Sequence, residues 1–329
     1  MKYILPLLLV FTISNSYAQD PILSQSFVHP IVLNSGFNGA SHNTSAGIIH
    51  RSQWYDLNFN INTQYAYFST YISALNSGFG VNIIKQTENK NNYNFTQANL
   101  NYTLILRLSD SWYFRPSVIV GFGMKDYGFK NILFEDQINL YSQQINSKSI
   151  DPVTLKENQL FLDVSASLLF NNRNSWIGLT LKHLNKPNIS LTEYGTSTLD
   201  LFLSLHGEFK LPLDSVLPYY FTENNSIYFL SHFIKQGEFS RYDLGFKYVF
   251  DDTYAIGILA ETDPLHSTDT GSTINSIDLF TGLKWEAFKF GFSYDFNISN
   301  IGYTGGVYEF SLSYDFFTRS QRPACIVYF

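Results

Sequence analysis

Apolar and polar residues alternate along much of the chain, most clearly between Tyr308 and Phe316. Every second residue of this stretch is aromatic or aliphatic, and the residues between them are Glu, Ser, Ser and Asp. Because successive side chains of a strand point to opposite faces, the pattern predicts a strand with one apolar face and one polar face. It recurs in 242–250 and in 288–296. Long strands with an aromatic-rich apolar face and a polar face are typical of transmembrane barrels.

The whole pattern predicts an all-β fold, a single transmembrane antiparallel β-barrel of about 14 strands occupying residues 46–317. The predicted strands are 46–53, 59–73, 77–87, 93–108, 112–125, 159–170, 175–184, 198–212, 226–236, 239–250, 253–262, 274–286, 287–298 and 306–317. With both chain ends in the periplasm, short turns fall on the periplasmic side and longer loops outside, as such barrels require. The connection 214–225 is the exception, because it is long on the side of the short turns. In 288–296 the Phe and Tyr side chains are expected to face lipid, with Lys289, Ser293 and Asp295 in the lumen.

The two ends of the chain differ from the barrel pattern. Residues 1–18 combine Lys2, an apolar stretch and Ser16-Tyr17-Ala18, which together predict a cleaved signal peptide and export to the outer membrane. Residues 19–45 are rich in Asn, Ser, Gly and Pro and contain no alternating run, so we expect a folded, plug-like segment at the barrel. Residues 318–329 are expected to form a C-terminal periplasmic tail.

Composition agrees with a membrane barrel. Aromatic residues make up 17% of the chain, charged residues only 15%, and the mean hydropathy is −0.07. These values suit strands that are half lipid-facing and half water-facing. The net charge of −6 leaves no basic stripe to neutralise phosphates, so we expect no nucleic-acid partner. Cys325 is the only cysteine, which excludes an intramolecular disulfide and a two-cysteine metal site.

The chemistry-bearing residues favour neither an enzyme nor a cofactor site. The seven histidines lack the short spacing of a zinc or copper site, and no Gly-x-Ser-x-Gly run accompanies Ser204, His206 and Glu208. Asp263, Asp269 and Asp278 surround a predicted external loop, where simple solvation is favoured over a weak calcium site.

Charged residues on the predicted inward faces have two possible roles. They are Arg51, Arg107, Arg115, Arg241, Asp163, Asp243, Asp278 and Asp295. Paired with one another, they would stabilise a filled barrel, because buried charges need partners. Unpaired, they would line a conducting pore. The apolar content of residues 19–45 favours the filled barrel.

Short motifs occur in order along nearly the whole mature chain. In the N-terminal segment they include Gln19, Asp20, Pro21, Gln25, Pro30, Asn34 and Gly39. Near the first strand they are Arg51, Gln53 and Trp54; in the long loop, Phe134, Asp136 and Gln137; in the final hairpin, Tyr294, Asp295 and Glu309. Together these motifs resemble the PorP/SprF family, outer-membrane proteins of the type IX secretion and gliding machinery of Bacteroidota. Ser35-Gly36 and Val307-Tyr308 depart from residue pairs that are common in that family.

The resemblance implies a non-enzymatic barrel that binds, helps export or anchors a secreted partner protein with a C-terminal sorting domain, such as an adhesin. It also implies contact with periplasmic lipoproteins that are linked to peptidoglycan. The alternative is a porin or solute transporter of the outer membrane, which would have the same barrel with an open lumen.

Overall fold

The computed structural model describes residues 20–57, 59–90, 92–128, 135–139, 143–146, 156–216, 219, 224–265, 274–298 and 304–316. The predicted signal peptide, Gln19 and the predicted C-terminal tail lie outside the described residues. No helix in these ranges is both long enough and apolar enough to cross a membrane.

Fourteen long strands form one closed antiparallel sheet. They are β1 Thr44–Gln53, β2 Ile61–Ile72, β3 Ser77–Glu88, β4 Tyr93–Leu104, β5 Tyr113–Asp126, β6 Asn158–Asn171, β7 Ser175–Lys182, β8 Phe202–Pro212, β9 Ser226–Gln236, β10 Phe239–Phe250, β11 Tyr254–Thr262, β12 Ile274–Trp285, β13 Phe288–Asn297 and β14 Val307–Phe316. Each strand pairs with the next along the chain, and β1 pairs with β14, from Thr44 opposite Phe316 to Gln53 opposite Val307. The predicted 14-stranded barrel is confirmed.

The alternation of side chains follows the predicted faces. In β13, Phe290 and Phe292 are 39% and 36% exposed on the outer wall. Lys289, Ser293 and Asp295 are buried on the inner face of the same strand. A register slip of one residue would exchange the two sets, so the alternation fixes which face is apolar.

Some strand ends differ from the predicted ones. The strand predicted as 93–108 ends at Leu104, because the backbone N–H of the buried Ile105 donates to Asn76 O instead of continuing the ladder. The strand predicted from 198 begins at Phe202, since Leu199 N donates to Pro187 O within the preceding loop. The first strand begins two residues before the predicted boundary at 46. Backbone hydrogen bonds outside the sheet thus account for the ends at Leu104 and Phe202.

The connections divide the barrel into two unlike ends. One end, the long-loop end, carries connections 54–60, 89–92, 127–157, 183–201, 237–238, 263–273 and 298–306. The other, the short-turn end, carries 73–76, 105–112, 172–174, 213–225, 251–253 and 286–287, and β1 begins there. The connection 213–225 is long for this end and includes a helical turn, Leu213–Val216.

Residues 20–43, the N-terminal segment, lie inside the barrel. They form three short 3₁₀ turns, Ser24–Phe27, Pro30–Val32 and Ser35–Phe37. Phe27 packs on Leu230, Leu259 and Phe280, which come from β9, β11 and β12. Phe37 packs on Leu169 of β6. The segment therefore contacts inward-facing residues from widely separated parts of the wall.

Candidate functional site

An ion-pair cluster inside the barrel joins the first and last strands, where the sheet closes. Arg51 of β1 lies opposite Glu309 of β14, and the next strand supplies Asp295. Arg51 Nη1 contacts Glu309 Oε1 and lies 3.3 Å from Asp295 Oδ2. All three side chains are buried. Because a buried charge is costly without a partner, the guanidinium and the two carboxylates depend on one another.

The first turn of the N-terminal segment is bound to this cluster. Ser24 N and Gln25 N each donate to a different carboxylate oxygen of Glu309, at 2.8 Å. Ser24 Oγ lies 2.9 Å from Asp295 Oδ2 and accepts a hydrogen bond from Arg51 at 2.9 Å. The turn begins after Leu23, which supplies no side-chain cap. The Glu309 carboxylate thus satisfies N–H groups that would otherwise lack partners at the start of the turn.

A second polar cluster holds the start of the N-terminal segment. His183 Nε2 lies 2.9 Å from Asp20 Oδ1, and His183 Nδ1 lies 2.9 Å from Asp163 Oδ1. Lys182 Nζ donates to Asp20 Oδ2 at 3.0 Å. Asp20 N donates to Gln236 Oε1 at 2.9 Å. Asp20 is therefore held by side chains from two separate parts of the wall.

The protonation of His183 follows from this geometry. Burial acts to lower the pKa of His183, but the nearby Asp20 charge and hydrogen bonds to Asp163 and Asp20 raise the pKa to about 9. Burial acts to raise the pKa of Asp20, but Lys182 and His183 outweigh it and hold that pKa far below its usual value. At neutral pH the ring is thus an imidazolium between two carboxylates.

The pKa of His29 is shifted in the opposite direction. Burial, with a smaller contribution from the nearby Lys289 charge, lowers the pKa of His29 to about 3. Its ring Nδ1 lies 3.4 Å from the Tyr67 hydroxyl. His29 is therefore neutral at physiological pH, while His183 is charged.

The middle of the N-terminal segment is held by neutral groups. Asn34 Nδ2 donates to Leu168 O at 2.9 Å and lies 3.1 Å from His206 Nε2. Its Oδ1 accepts from Gly36 N at 2.7 Å, which caps the third 3₁₀ turn. A single amide side chain thus joins this turn to the backbone of β6 and a side chain of β8.

The next residues fit closely against glycines of β3. A Cβ placed on Gly78 would lie 1.9 Å from Asn38 O, and one on Gly80 would lie 2.0 Å from Asn38 Oδ1. Gly39 has a φ of 66°, which favours glycine, and its N–H donates to Ser69 Oγ at 3.0 Å. The Asn38-Gly39 turn therefore fits against this wall only because Gly78 and Gly80 have no side chains.

Other motif residues lie at the long-loop end. Gln53 ends β1, and Trp54 N donates to Gly306 O at 3.1 Å just beyond it. The Tyr294 hydroxyl donates to Gly305 O at 3.4 Å. The first contact joins the residues just beyond β1 and just before β14, and the second joins β13 to the connection that leads to β14.

The remaining motif residues are not brought together. Pro21 is half-buried, and Pro30 starts the second 3₁₀ turn. Gln137 Nε2 donates to Asn146 O at 3.0 Å, within a short hairpin of the long loop. Asp136 lies in the turn before that hairpin. Gln19 and Phe134 lie outside the described residues.

An inner row of charges extends the Arg51 cluster around the wall. Arg241 Nε lies 2.7 Å from Asp243 Oδ1, and Arg241 Nη2 contacts Glu261 Oε1. Glu261, Asp278 and Asp295 each place one carboxylate oxygen within 4.8 Å of the others. These residues come from adjacent strands, so pairing of neighbouring strands creates the row.

One prediction about the charged residues is wrong. Arg107 does not face the lumen: it pairs at 2.8 Å with Asp110 in an exposed turn, where solvent already satisfies both charges. Asp278, predicted on an inward face, lies within β12 and is buried there. Arg115 does face inward, and its Nε donates to Asn171 Oδ1 at 2.9 Å.

Sequence reasoning missed one arrangement. Ser204 Oγ lies 2.9 Å from His232 Nε2, and His232 Nδ1 lies 3.5 Å from Asp243 Oδ2. A serine hydrolase also needs oxyanion donors and room for substrate. Ser204 lies on β8, which pairs with β7 and β9. The cavity beside it, which Leu23 also lines, measures about 30 Å³. The trio fits a structural hydrogen-bond chain that also includes His206, whose Nδ1 is 2.8 Å from Ser204 Oγ.

Small cavities lie between the N-terminal segment and the wall. One cavity there, bordered by Leu33, Asn99 and Asp163, measures about 90 Å³. That volume holds a few water molecules. The described residues thus form a closed membrane-type β-barrel whose inner wall is contacted by its own N-terminal segment.

Comparison with known proteins identifies the family. A family model described as "Type IX secretion system membrane protein PorP/SprF" matches residues 15–314. Because the match covers most of the chain, the chain belongs to the PorP/SprF family of type IX secretion system membrane proteins, as the motifs had indicated. No curated protein matches the chain.

Solved structures share the barrel. The toluene transporter TodX of P. putida matches with a TM-score of 0.50 and 7% identity, covering 86% of this chain and 93% of its own. A monoaromatic hydrocarbon channel, CymD, gives 0.48 and 9% over 91% and 94%. The KdgM porin gives 0.35 and 10% over 83% and 99%. At such low identity the likeness to TodX shows the fold alone.

Proposed function

We propose that this barrel lies in the outer membrane and binds a secreted partner protein that carries a C-terminal sorting domain. The binding helps to export the partner or holds it at the cell surface. Residues 1–18 act as a cleaved signal peptide, and the long-loop end faces outward. The barrel contributes binding rather than a chemical step. Membership of a type IX secretion family supports the secretion role, while the sequence of residues 1–18 and the loop lengths support the signal peptide and the orientation.

The contacts of the N-terminal segment with the inner wall are the observation that favours protein binding over solute transport. The N-terminal segment hydrogen-bonds to inward side chains on β1, β7, β9, β13 and β14 and to the backbone of β6. A porin needs a continuous aqueous channel through the barrel, which this segment obstructs. The plug-like role expected for residues 19–45 is thus part of the proposal.

The long-loop end offers the larger surface for a folded partner. Loops on a rigid barrel can differ in sequence without disturbing the strands, which suits recognition. The connection 183–201 is held by its own hydrogen bonds, for example Ile189 N to Ser197 O at 2.8 Å, and exposes Tyr194. We propose that this loop and the connection 127–157 contact the partner, and that the short-turn end contacts periplasmic lipoproteins.

Gene deletion tests the proposal directly. We expect proteins with C-terminal sorting domains to be lost from the surface, or released into the medium, while membrane integrity remains normal. Surface biotinylation followed by mass spectrometry measures this loss. If all such proteins still reach the surface and only solute uptake changes, the secretion role is wrong and the porin alternative replaces it.

Loop variants separate recognition from folding. We expect Tyr194→Ala to weaken partner pull-down without changing the heat-modifiable mobility of the barrel on gels. Gln137→Ala removes a hydrogen bond within the long loop and tests whether that hairpin also contributes. The exposed Tyr254→Ala at the short-turn end is the matched control and should leave pull-down unchanged.

Conductance provides an independent readout. In planar bilayers the full-length protein is expected to show little conductance, and a variant lacking residues 20–43 is expected to conduct. A wild-type barrel that conducts like an open porin would contradict the plug-like role. Equal, low conductance of the deletion variant would contradict it as well.

A further inference from the structure

The outer wall contains one wide groove where the barrel closes. It crosses β12, β13, β14, β1, β2 and β3 and has a volume of about 820 Å³. Apolar side chains on its walls include Ile48, Ile83, Phe292 and Phe310, all exposed to the surroundings of the barrel. Residues without bulky side chains, such as Gly282 and Gly291, also line it. In a membrane protein this groove faces the lipid.

A row of polar side chains borders the groove. His50, Gln64 and Lys85 lie side by side on β1, β2 and β3, because His50 pairs with Gln64 and Gln64 pairs with Lys85. All three are exposed on the outer face and line the groove. The side chains of these three residues form no hydrogen bond or ion pair with another described residue. No described residue that lines the groove is acidic.

The depth of this row fits the boundary of a membrane. His50 lies three residues before the end of β1, and Gln64 lies three residues after the start of β2. At about 3.3 Å per residue, the row is about 10 Å along the strands from the long-loop end. One step deeper in the same register lies the apolar row Ile48, Ala66 and Ile83. Polar donors therefore stand directly next to apolar surface, as an amphiphile with a polar head requires.

We propose that this groove binds a membrane lipid with an anionic phosphate headgroup. Lys85, Gln64 and His50 hold the phosphate, and the acyl chains occupy the apolar part of the groove. The charge of the row selects the lipid: a basic and amide-bearing row without nearby carboxylates matches a phosphate. The inference needs a membrane location, which family membership supplies, and it does not depend on the partner proposed above.

Lipid binding by the full-length protein tests the headgroup contacts. The protein is purified in neutral detergent, and retention of dioleoylphosphatidylglycerol and dioleoylphosphatidylcholine is compared by native mass spectrometry. We expect the wild type to prefer phosphatidylglycerol. Lys85→Gln should weaken phosphatidylglycerol binding about fivefold, since one basic residue near a membrane surface contributes about 1 kcal/mol. His50→Gln should add a smaller loss.

A matched lysine is available on the far side of the barrel. Lys235 faces outward one residue before the end of β9 and lies outside the groove. Lys235→Gln should leave phosphatidylglycerol binding unchanged. If Lys235→Gln weakens binding as much as Lys85→Gln, the attraction is general and the proposed site is wrong. Unchanged binding by Lys85→Gln has the same consequence.

A second pair of variants tests the acyl part without altering charge. Ala66→Trp fills the groove, and Ala98→Trp adds the same side chain two strands away in the same register, outside the groove. We expect only Ala66→Trp to reduce lipid retention, with both barrels folded by heat-modifiability. Equal retention in both variants would overturn the groove as the acyl site. Co-purification of a protein that Ala66→Trp displaces, with lipid retention unaffected, would overturn it too.

Discussion

The two halves of the N-terminal segment are held in the barrel by different chemistry. Residues 20–29, the charged half, rest on two ion-pair clusters centred on Arg51 and His183. Residues 30–43, the neutral half, rest on amide hydrogen bonds from Asn34 and on the close fit of Asn38 against Gly78. One half depends on charge balance and the other depends on shape.

The difference has a consequence for sensitivity to substitution. Removing one member of a buried ion-pair cluster leaves the others uncompensated, so a single change has a large effect. Neutral hydrogen bonds contribute little net free energy each, but overpacking disturbs a close fit. The charged half should therefore respond to charge and pH, and the neutral half to volume.

Arg51→Met should have the largest effect. It leaves Glu309 and Asp295 close together without a cation, and loss of one partner of a buried pair costs about 3–5 kcal/mol. We expect faster hydrogen exchange in peptides covering residues 20–29 than in those covering 30–43. Hydrogen-exchange mass spectrometry in detergent micelles measures both regions.

The exposed Arg107 provides the control for this substitution. It pairs with Asp110 in solvent, so Arg107→Met should change stability by less than about 1 kcal/mol. If both substitutions accelerate exchange equally, the buried cluster has no special role in holding the segment.

The charged half should also respond to pH, in opposite directions through His183, which contacts it from the wall, and through its own His29. The pKa of His183 is raised to about 9, so its contribution to binding of the segment is complete below about pH 6.5 and is lost as the pH rises through 9. The pKa of His29 is lowered to about 3, so its contribution is complete above about pH 6.5 and is lost as the pH falls toward 3. Protection of residues 20–29 should therefore be highest near pH 6.5.

His183→Gln separates the two histidines. For His183 the shift corresponds to about 3 kcal/mol between pH 6.5 and pH 9. His183→Gln should remove the alkaline loss of protection while leaving the acid loss, which belongs to His29. An unchanged alkaline profile in hydrogen exchange would show that another group is responsible.

Gly78→Ala tests the neutral half. The new Cβ would lie 1.9 Å from Asn38 O, so the turn must move, and overpacking of this kind costs about 1–3 kcal/mol. Exchange should rise in peptides covering 36–43 and remain unchanged in 20–29. Gly207→Ala is the control, because its nearest atom, Trp176 O, is 3.1 Å away and Gly207 lies on β8, five strands from Gly78. An effect confined to residues 20–29 would contradict the division into halves.

The fold could be predicted from sequence because the two faces of a barrel strand require apolar and polar residues to alternate. The alternation in 288–296 predicted a strand and the side chains on its inner and outer faces. In β13 these side chains lie on the predicted faces. Ends such as Leu104 could not be predicted, since contacts distant in sequence, like Ile105 N to Asn76 O, decide them.

The site was only partly predictable. Motif resemblance singled out Gln25, Arg51, Asp295 and Glu309, and the structure brings these four into one cluster. It could not reveal that Glu309 caps the turn at Ser24, which depends on the path of the N-terminal segment. Ser204, His232 and Asp243 meet through strand register, which alternation alone does not determine.

The smallest expected effect compares one neutral hydrogen bond in each half. Ser311 Oγ donates to Gln25 Oε1 at 3.2 Å, and Thr180 Oγ1 donates to Leu33 O at 2.7 Å. Ser311→Ala and Thr180→Val should each cost about 0.5–1.5 kcal/mol, the usual net value of such a bond. Similar small losses in hydrogen exchange would assign the greater sensitivity of residues 20–29 to their charges. If Ser311→Ala costs as much as Arg51→Met, close packing rather than charge holds that half, and the two halves are alike.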